Sequence, residues 1–362
     1  MPSYRGRERE SALNAKLGGV PVHPSSPRTT PGPLQRATAA HEAWLRTSAE
    51  GELCLYLSEC FGSATPLAEQ LGGLQIIAAV VNSAADDDDI SGPSVLITNL
   101  ANCLRVPLSS TEPSVLAAAT LAFGRLARVG AAAEPVVAEL RRALGRLSAG
   151  SKLDSATLVV REVALAAPSL LYVHVAAIFG SIWPAFRDAR AAVRQSAAEA
   201  LDAVLQIVAE RPSAARGGWY AAARGEALTA LRSGSAEAVH GGLLAAAALL
   251  SGGTPYDGKA CEELLEAAWP MGEHRDRAVR LAFVGLLPHV ARRLVADAES
   301  ERRSLHLSRT ADHLLATVRG AASASSAELR AAALLACGSL AAALAAGPPS
   351  AGPPSRLPAA SV

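Results

Sequence analysis

Apolar residues along this chain recur at helical rather than strand spacing. In DARAAVRQSAAEALDAVL (residues 188–205), Val193, Ala197, Ala200, Leu201 and Val204 fall on one face of a helix. Asp188 stands just before that helix, in position to cap its N-terminus, and Arg194, one residue past Val193, is expected in solvent. The alanines on the apolar face let a neighbouring helix approach closely. The theme returns as PSVLAAATLAFGRLARVG from Pro113, SAEAVHGGLLAAAALL from Ser235, RDRAVRLAFVGLLPHV from Arg275 and AELRAAALLACGSLAAAL from Ala327. Weaker copies begin near Gln70 (QLGGLQIIAAVV) and Lys152 (KLDSATLVVREVALAAP).

Aligning these segments on Val193 places Val115, Val239, Val279 and Leu329 at the same point of each. With the two weaker copies the spacing averages about 43 residues, the period of HEAT or armadillo units. Each unit is then a helical hairpin too small to bury its own apolar faces, so neighbours must stack and share one core. The predicted fold is all-α: a HEAT/armadillo-type solenoid of about seven helical hairpins over residues 41–346, a curved rod with a large surface for holding other macromolecules. Six prolines between Pro2 and Pro33, and five from Pro348 to Pro358, mark residues 1–40 and 347–362 as disordered tails.

Composition narrows the picture. Half of the 362 residues are apolar but only 4% are aromatic, and Ala makes up about a fifth, so the core is built from small side chains on close-packed helices. With 34 basic against 33 acidic residues there is no global field to draw nucleic acid or an anionic membrane, and no nucleic-acid partner is expected. The five cysteines, Cys54, Cys60, Cys103, Cys261 and Cys337, are odd in number and lack a CxxC pair, which argues against a disulfide framework or a zinc site. The basic N-terminal tail has a faint likeness to an organelle transit peptide, interrupted by Glu8 and Glu10. Residues 163–186 are long enough for a membrane span, but Pro168, Pro184 and Gly180 with the polar Ser169, His174 and Ser181 read better as short helices meeting at a Pro-marked turn. Residues 331–346, shorter and mostly Ala, read as a buried helix near the end of the array, so no membrane span is expected.

Candidate chemistry is sparse. GTPYDGKA (residues 253–260) fits G-x-x-x-x-G-K, but Ala260 stands where a nucleotide site needs a magnesium-binding hydroxyl, and a helical rather than strand pattern precedes it. The run Asp86 to Asp89 lacks the alternating ligands and closing Glu of a calcium loop. Eight histidines are scattered without HExxH, and His174, His240 and His289 read as satisfied structural residues. No kinase glycine loop, HRD or DFG occurs. No catalytic residue, cofactor or metal ligand is therefore assigned, and no catalytic activity is expected. Trp183 with Phe186, and Trp219 with Tyr220, are aromatic clusters in a chain that uses aromatics sparingly. They either fill gaps between Ala-rich helices or anchor a protein partner.

Three segments carry a family resemblance. LGGLQIIAAVVN from Leu71, VLITNLANCLRVPLSSTEPSVLAAATLAFGRLARVG from Val95, and VVREVALAAPSLLYVHVAAIFGSIWPAFRDARAAVRQSAAEALDAVL from Val159 resemble, in order and spacing, the N-terminal HEAT region of target-of-rapamycin (TOR) serine/threonine protein kinases. The likeness runs on through Trp219 and Tyr220, AVHGGLLAAAALL from Ala238 and AVRLAFVGLLPHVA from Ala278, covering roughly residues 65–346. It implies a non-catalytic solenoid that helps assemble a large signalling kinase, with a Raptor-like regulatory subunit and a Rheb-like small GTPase as partners, in the cytoplasm and at endomembrane surfaces through those partners. The family's FAT, rapamycin-binding and kinase regions have no counterpart here, so phosphotransfer does not carry over. The connection between Leu250 and Ala278 is shorter than in animal members. Two other readings stay open at this level: a generic HEAT or armadillo adaptor, such as a transport receptor or phosphatase scaffold, and a fragment of a full ATP-dependent kinase whose catalytic region lies outside this chain.

Overall fold

The computed structural model describes residues 49–85, 95–251, 258–296, 303–320 and 326–346. Both predicted tails, the boundary at residue 41, the acidic run Asp86 to Asp89 and most of the GTPYDGKA segment lie outside the described residues. The chain separates into two compact units, Met1–Leu55 and Tyr56–Val362. The described part of the first is helical, with Cys54 buried. All the repeat segments, from Gln70 onward, lie in the second.

Among the described residues there are sixteen α-helices and no strand. In chain order they are α1 Ala49–Cys60, α2 Leu67–Ala85, α3 Val95–Leu104, α4 Pro113–Leu126, α5 Ala133–Ser148, α6 Leu153–Ala166, α7 Pro168–Tyr172 and α8 Val175–Ser181. They continue with α9 Trp183–Phe186, α10 Ala191–Glu210, α11 Arg216–Leu231, α12 Ala236–Ser251, α13 Gly258–Ala268, α14 Arg277–Ala296, α15 Arg303–Val318 and α16 Ala327–Ala346. Short 3-10 turns sit at Pro107–Ser109, Gly130–Ala132 and Trp269–Glu273.

The helices form two layers. In one, α2, α4, α6, α10, α12, α14 and α16 each pack on the next. In the other, α3 packs on α5, α5 on α8, α8 on α11 and α11 on α13. Hairpin partners such as α5 with α6, α11 with α12 and α15 with α16 join the layers. The first layer holds the seven repeat segments read from the sequence, and Val115, Val193, Val239, Val279 and Leu329 are all buried at its seams. This is the all-α HEAT/armadillo-type solenoid, and its core is the shared face between successive units.

Local chemistry explains the breaks. Pro113 opens α4 at a position whose N–H has no helical partner. Gly150 and Lys152 adopt left-handed φ of 64° and 46°, which turns the chain sharply from α5 into α6. The stretch 163–186 is cut into the end of α6 and three short helices, α7, α8 and α9, with Pro168 and Pro184 in the first turns of α7 and α9. His174 lies between α7 and α8 rather than within a helix.

Three expectations are corrected. Arg194 is buried at 5% exposure, not in solvent. Its Nη1 donates to the Asp188 and Ala189 carbonyls at 2.6 and 3.0 Å, so its charge anchors the turn before α10. Asp188 does not cap α10; its carboxylate accepts the Arg190 N–H and Nε–H at 2.8 and 3.1 Å, and Arg190 holds the N-cap position with no side-chain cap. The final apolar segment is longer and less buried than expected. Helix α16 begins at Ala327, is long and apolar enough to cross a membrane by length and composition, and buries only Leu329, Ala333, Ala336 and Leu340. These four lie on the face that α16 turns to α14 and α15.

Candidate functional site

Three of the four aromatic residues singled out in the sequence, Trp183, Phe186 and Trp219, are linked through a fifth, Phe179. Trp183 and Phe186, on α9, lie with ring centroids 5.5 Å apart, and Trp183 Nε1 donates to the Phe179 carbonyl of α8 at 2.6 Å. Trp219, on α11, stacks on the Phe179 ring at 6.1 Å with planes 7° apart. Phe186 and Tyr220 are buried, while Trp183 and Trp219 are both half-buried. Burial raises the Tyr220 hydroxyl above its ordinary pKa against the opposing pull of the Arg216 guanidinium, which lies 5.9 Å over its ring. Phe179 was missed because an isolated Phe in an apolar run carries no signal of the neighbours it will meet.

A second aromatic group escaped the sequence entirely. Trp269, Phe283 of α14 and His313 of α15 meet at 5.2 to 6.0 Å, and the Arg309 guanidinium lies 4.0 Å over the Trp269 ring. Burial, opposed by Glu273 and reinforced by Arg309, lowers the His313 pKa.

Polar ties cross from unit to unit. Arg194 Nε of α10 donates to His240 Nδ1 of α12 at 3.0 Å, beneath the surface. Burial first, then the Arg194 charge, pushes the His240 pKa down to about 4. Arg161 of α6 reaches Glu199 of α10 at 2.6 Å, and Arg190 reaches Asp154 of α6 at 2.8 Å. Arg187 meets Glu226 at 2.7 Å, and Arg277 of α14 pairs with Glu328 of α16. The exposed pairs, Arg187 with Glu226 and Arg277 with Glu328, set register more than stability, each worth about 0–1 kcal/mol.

Two concavities stand out. One, of about 490 Å³, crosses α10, α12 and α14 over a floor of small residues including Ala198, Ala247 and Gly285. The other, of about 710 Å³, lies where the α1–α2 connector, the α3–α4 connector and the flank of α5 converge. Its lining includes Phe61, Arg105, Val106, Glu139, Arg142 and Arg146. Glu139 is 3% exposed and accepts from Arg142 Nε and Arg146 Nη2, both at 2.7 Å. Among the described residues no group of three His, Cys, Asp or Glu side chains could hold a metal ion, and the five cysteines form no disulfide.

No family model matches the chain. Serine/threonine-protein kinase tor1 of Schizosaccharomyces pombe is 31% identical over 228 residues, and the TOR kinase of Oryza sativa is 31% identical over 233. The TOR kinase of Arabidopsis thaliana is 29% identical over 235 residues. These alignments cover 61 to 63% of this chain but 9% of each relative's length. Among solved structures, a designed armadillo repeat protein aligns over 73% of this chain and 99% of its own at 16% identity and a TM-score of 0.37, at which the superposition carries no argument. The resemblance to TOR kinases read from the sequence agrees with these relatives. The chain thus spans only about a tenth of its relatives' length, and its described residues form a helical repeat solenoid and no kinase domain.

Proposed function

We propose that this chain acts as a non-catalytic protein-interaction scaffold, equivalent to the N-terminal HEAT solenoid of a TOR kinase and working in assembly of a TOR complex. The observation that carries the reading is similarity to TOR kinases over about three fifths of a chain whose described residues fold as stacked helices. A stack of this kind presents side chains from many units on one continuous surface, which suits a partner much larger than a small molecule. The expected partners are a Raptor-like regulatory subunit and a Rheb-like small GTPase, met in the cytoplasm and at endomembrane surfaces. Trp183 and Trp219, backed by the buried Phe186 and Tyr220, are the protein-binding anchors of this reading.

Affinity purification of the tagged chain from its native cell, with mass spectrometry of what co-purifies, tests the reading. A Raptor-like subunit should be recovered, and its yield should drop in a Trp183→Ala/Trp219→Ala variant that retains its helical circular dichroism. Recovery of no such subunit, where the cell's full-length TOR kinase retrieves it, would overturn the assignment.

A further inference from the structure

The cavity beside Glu139 has the electrostatics of an anion site and the size of a peptide site. Three arginines, Arg105, Arg142 and Arg146, line it against one glutamate, a surplus of two positive charges. Glu139 is buried within α5 and engages Arg142 through Nε and Arg146 through Nη2. Holding two guanidiniums by one edge each fixes their planes while leaving other N–H groups uncommitted. Arg105, just past the end of α3, joins no ion pair among the described residues and is exposed.

The remaining lining decides what kind of anion fits. Among the apolar lining residues Phe61 and Pro107 are buried, and the accessible apolar surface comes from Val106, 60% exposed beside the arginines. Gln70, Asn102, Ser109, Ser110 and Thr111 offer amide and hydroxyl groups to a main chain. At about 710 Å³ the space is far larger than one phosphate or sulfate fills and lies in the range of sites that enclose ligands of several residues' bulk. The walls are connectors tied down from behind: Lys152 Nζ donates to the Ser109 carbonyl at 3.5 Å, and Ser155 Oγ donates to the Leu108 carbonyl.

We propose that this cavity docks an acidic segment of a partner protein, seating a carboxylate against Arg142, Arg146 and Arg105 with an adjacent apolar side chain on Val106. The inference deepens the scaffold reading. Its test uses a synthetic probe and purified protein, so it holds or fails whether or not a Raptor-like subunit is captured.

The probe is a fluorescein-labelled peptide, Gly-Glu-Leu-Glu-Gly-Gly, titrated with the full chain by fluorescence polarisation, beside the same peptide with Lys in place of Glu. The acidic peptide should bind saturably and the basic one should not. Raising salt from about 50 to about 300 mM should weaken binding, because part of the attraction is screened. Arg105→Ala and Arg142→Ala should each weaken it about fivefold or more, with the melting curve retained. Glu139→Gln should tighten it, because the change keeps the side chain's size while releasing two guanidiniums from a competing carboxylate; a merely structural role for Glu139 predicts no gain. Equal affinity for both peptides, no saturable binding, or indifference to both arginine substitutions would overturn the proposal. So would displacement by inorganic phosphate at concentrations equal to the peptide's, since that marks a simple anion pocket.

Discussion

At the scale of single residues, the buried pair Arg194 and His240 is the clearest case of a side chain whose role is set by its neighbours. Burial first, and the Arg194 guanidinium second, favour the neutral imidazole, so the folded state holds His240 unprotonated down to about pH 4, while an unfolded His protonates near 6.5. The stabilising effect is complete above pH 6.5 and is lost as pH falls from 6.5 toward 4, because the unfolded chain takes up a proton that the folded one refuses. The full shift corresponds to about 3 kcal/mol, and solvent screening of the partly accessible site reduces the loss to about 2 kcal/mol at the acid end. Burial also lowers the His289 and His313 pKa values, so they act in the same direction. The melting temperature should therefore drop between pH 7.5 and 5.0, and drop less in His240→Gln, whose amide oxygen can still accept from Arg194. Parallel pH profiles for the two proteins would refute this account.

At the scale of elements, the spacing between helices is set by small residues at specific points. A Cβ on Gly241 of α12 would collide with the Phe186 carbonyl oxygen at the end of α9, and one on Gly242 would press on Ala230 and the α11 backbone. Backbone cannot swing aside as a side-chain tip can. Gly241→Ala should cost about 2–4 kcal/mol through displacement of the helix. Gly285 of α14 is a helical glycine with open space where its Cβ would be. Gly285→Ala should stabilise by about 0.5–1 kcal/mol through helix propensity alone. Urea unfolding of the two variants measures both, and a gain in stability from Gly241→Ala would show that α12 and α9 are not in close contact. The sequence showed both glycines equally; only the packing separates them.

At the scale of the whole molecule, each unit of the first layer meets only its neighbours, so a lesion should be felt locally. Val193→Asp places an unpaired charge between α6, α10 and α12 and should cost on the order of 3 kcal/mol or more. Leu329→Asp lies in the last described hairpin, where α16 leaves Leu334, Leu335 and Leu344 exposed. It should open α15 and α16 while leaving the middle of the array protected. Native-state hydrogen exchange distinguishes the two: Val193→Asp should raise exchange across α6, α10 and α12, and Leu329→Asp only from α14 onward. A uniform rise in both variants would mean that the array unfolds as one cooperative body.

The sequence alone determined the helical class, the seven-fold recurrence and the buried position in each copy. Those features depend on the periodicity of apolar residues along a helix, which is local and survives reading one segment at a time. It also carried the resemblance to TOR kinases, because order and spacing are one-dimensional. Whether Arg194 is exposed or buried, which residue joins Trp183 to Trp219, and where three arginines line one cavity were decided only in three dimensions. Each depends on a side chain some forty residues away or on an adjoining connector, as Arg194 and His240 show at a separation of 46 positions. A stack of helices creates its surfaces at the seams between units, and no single unit contains them.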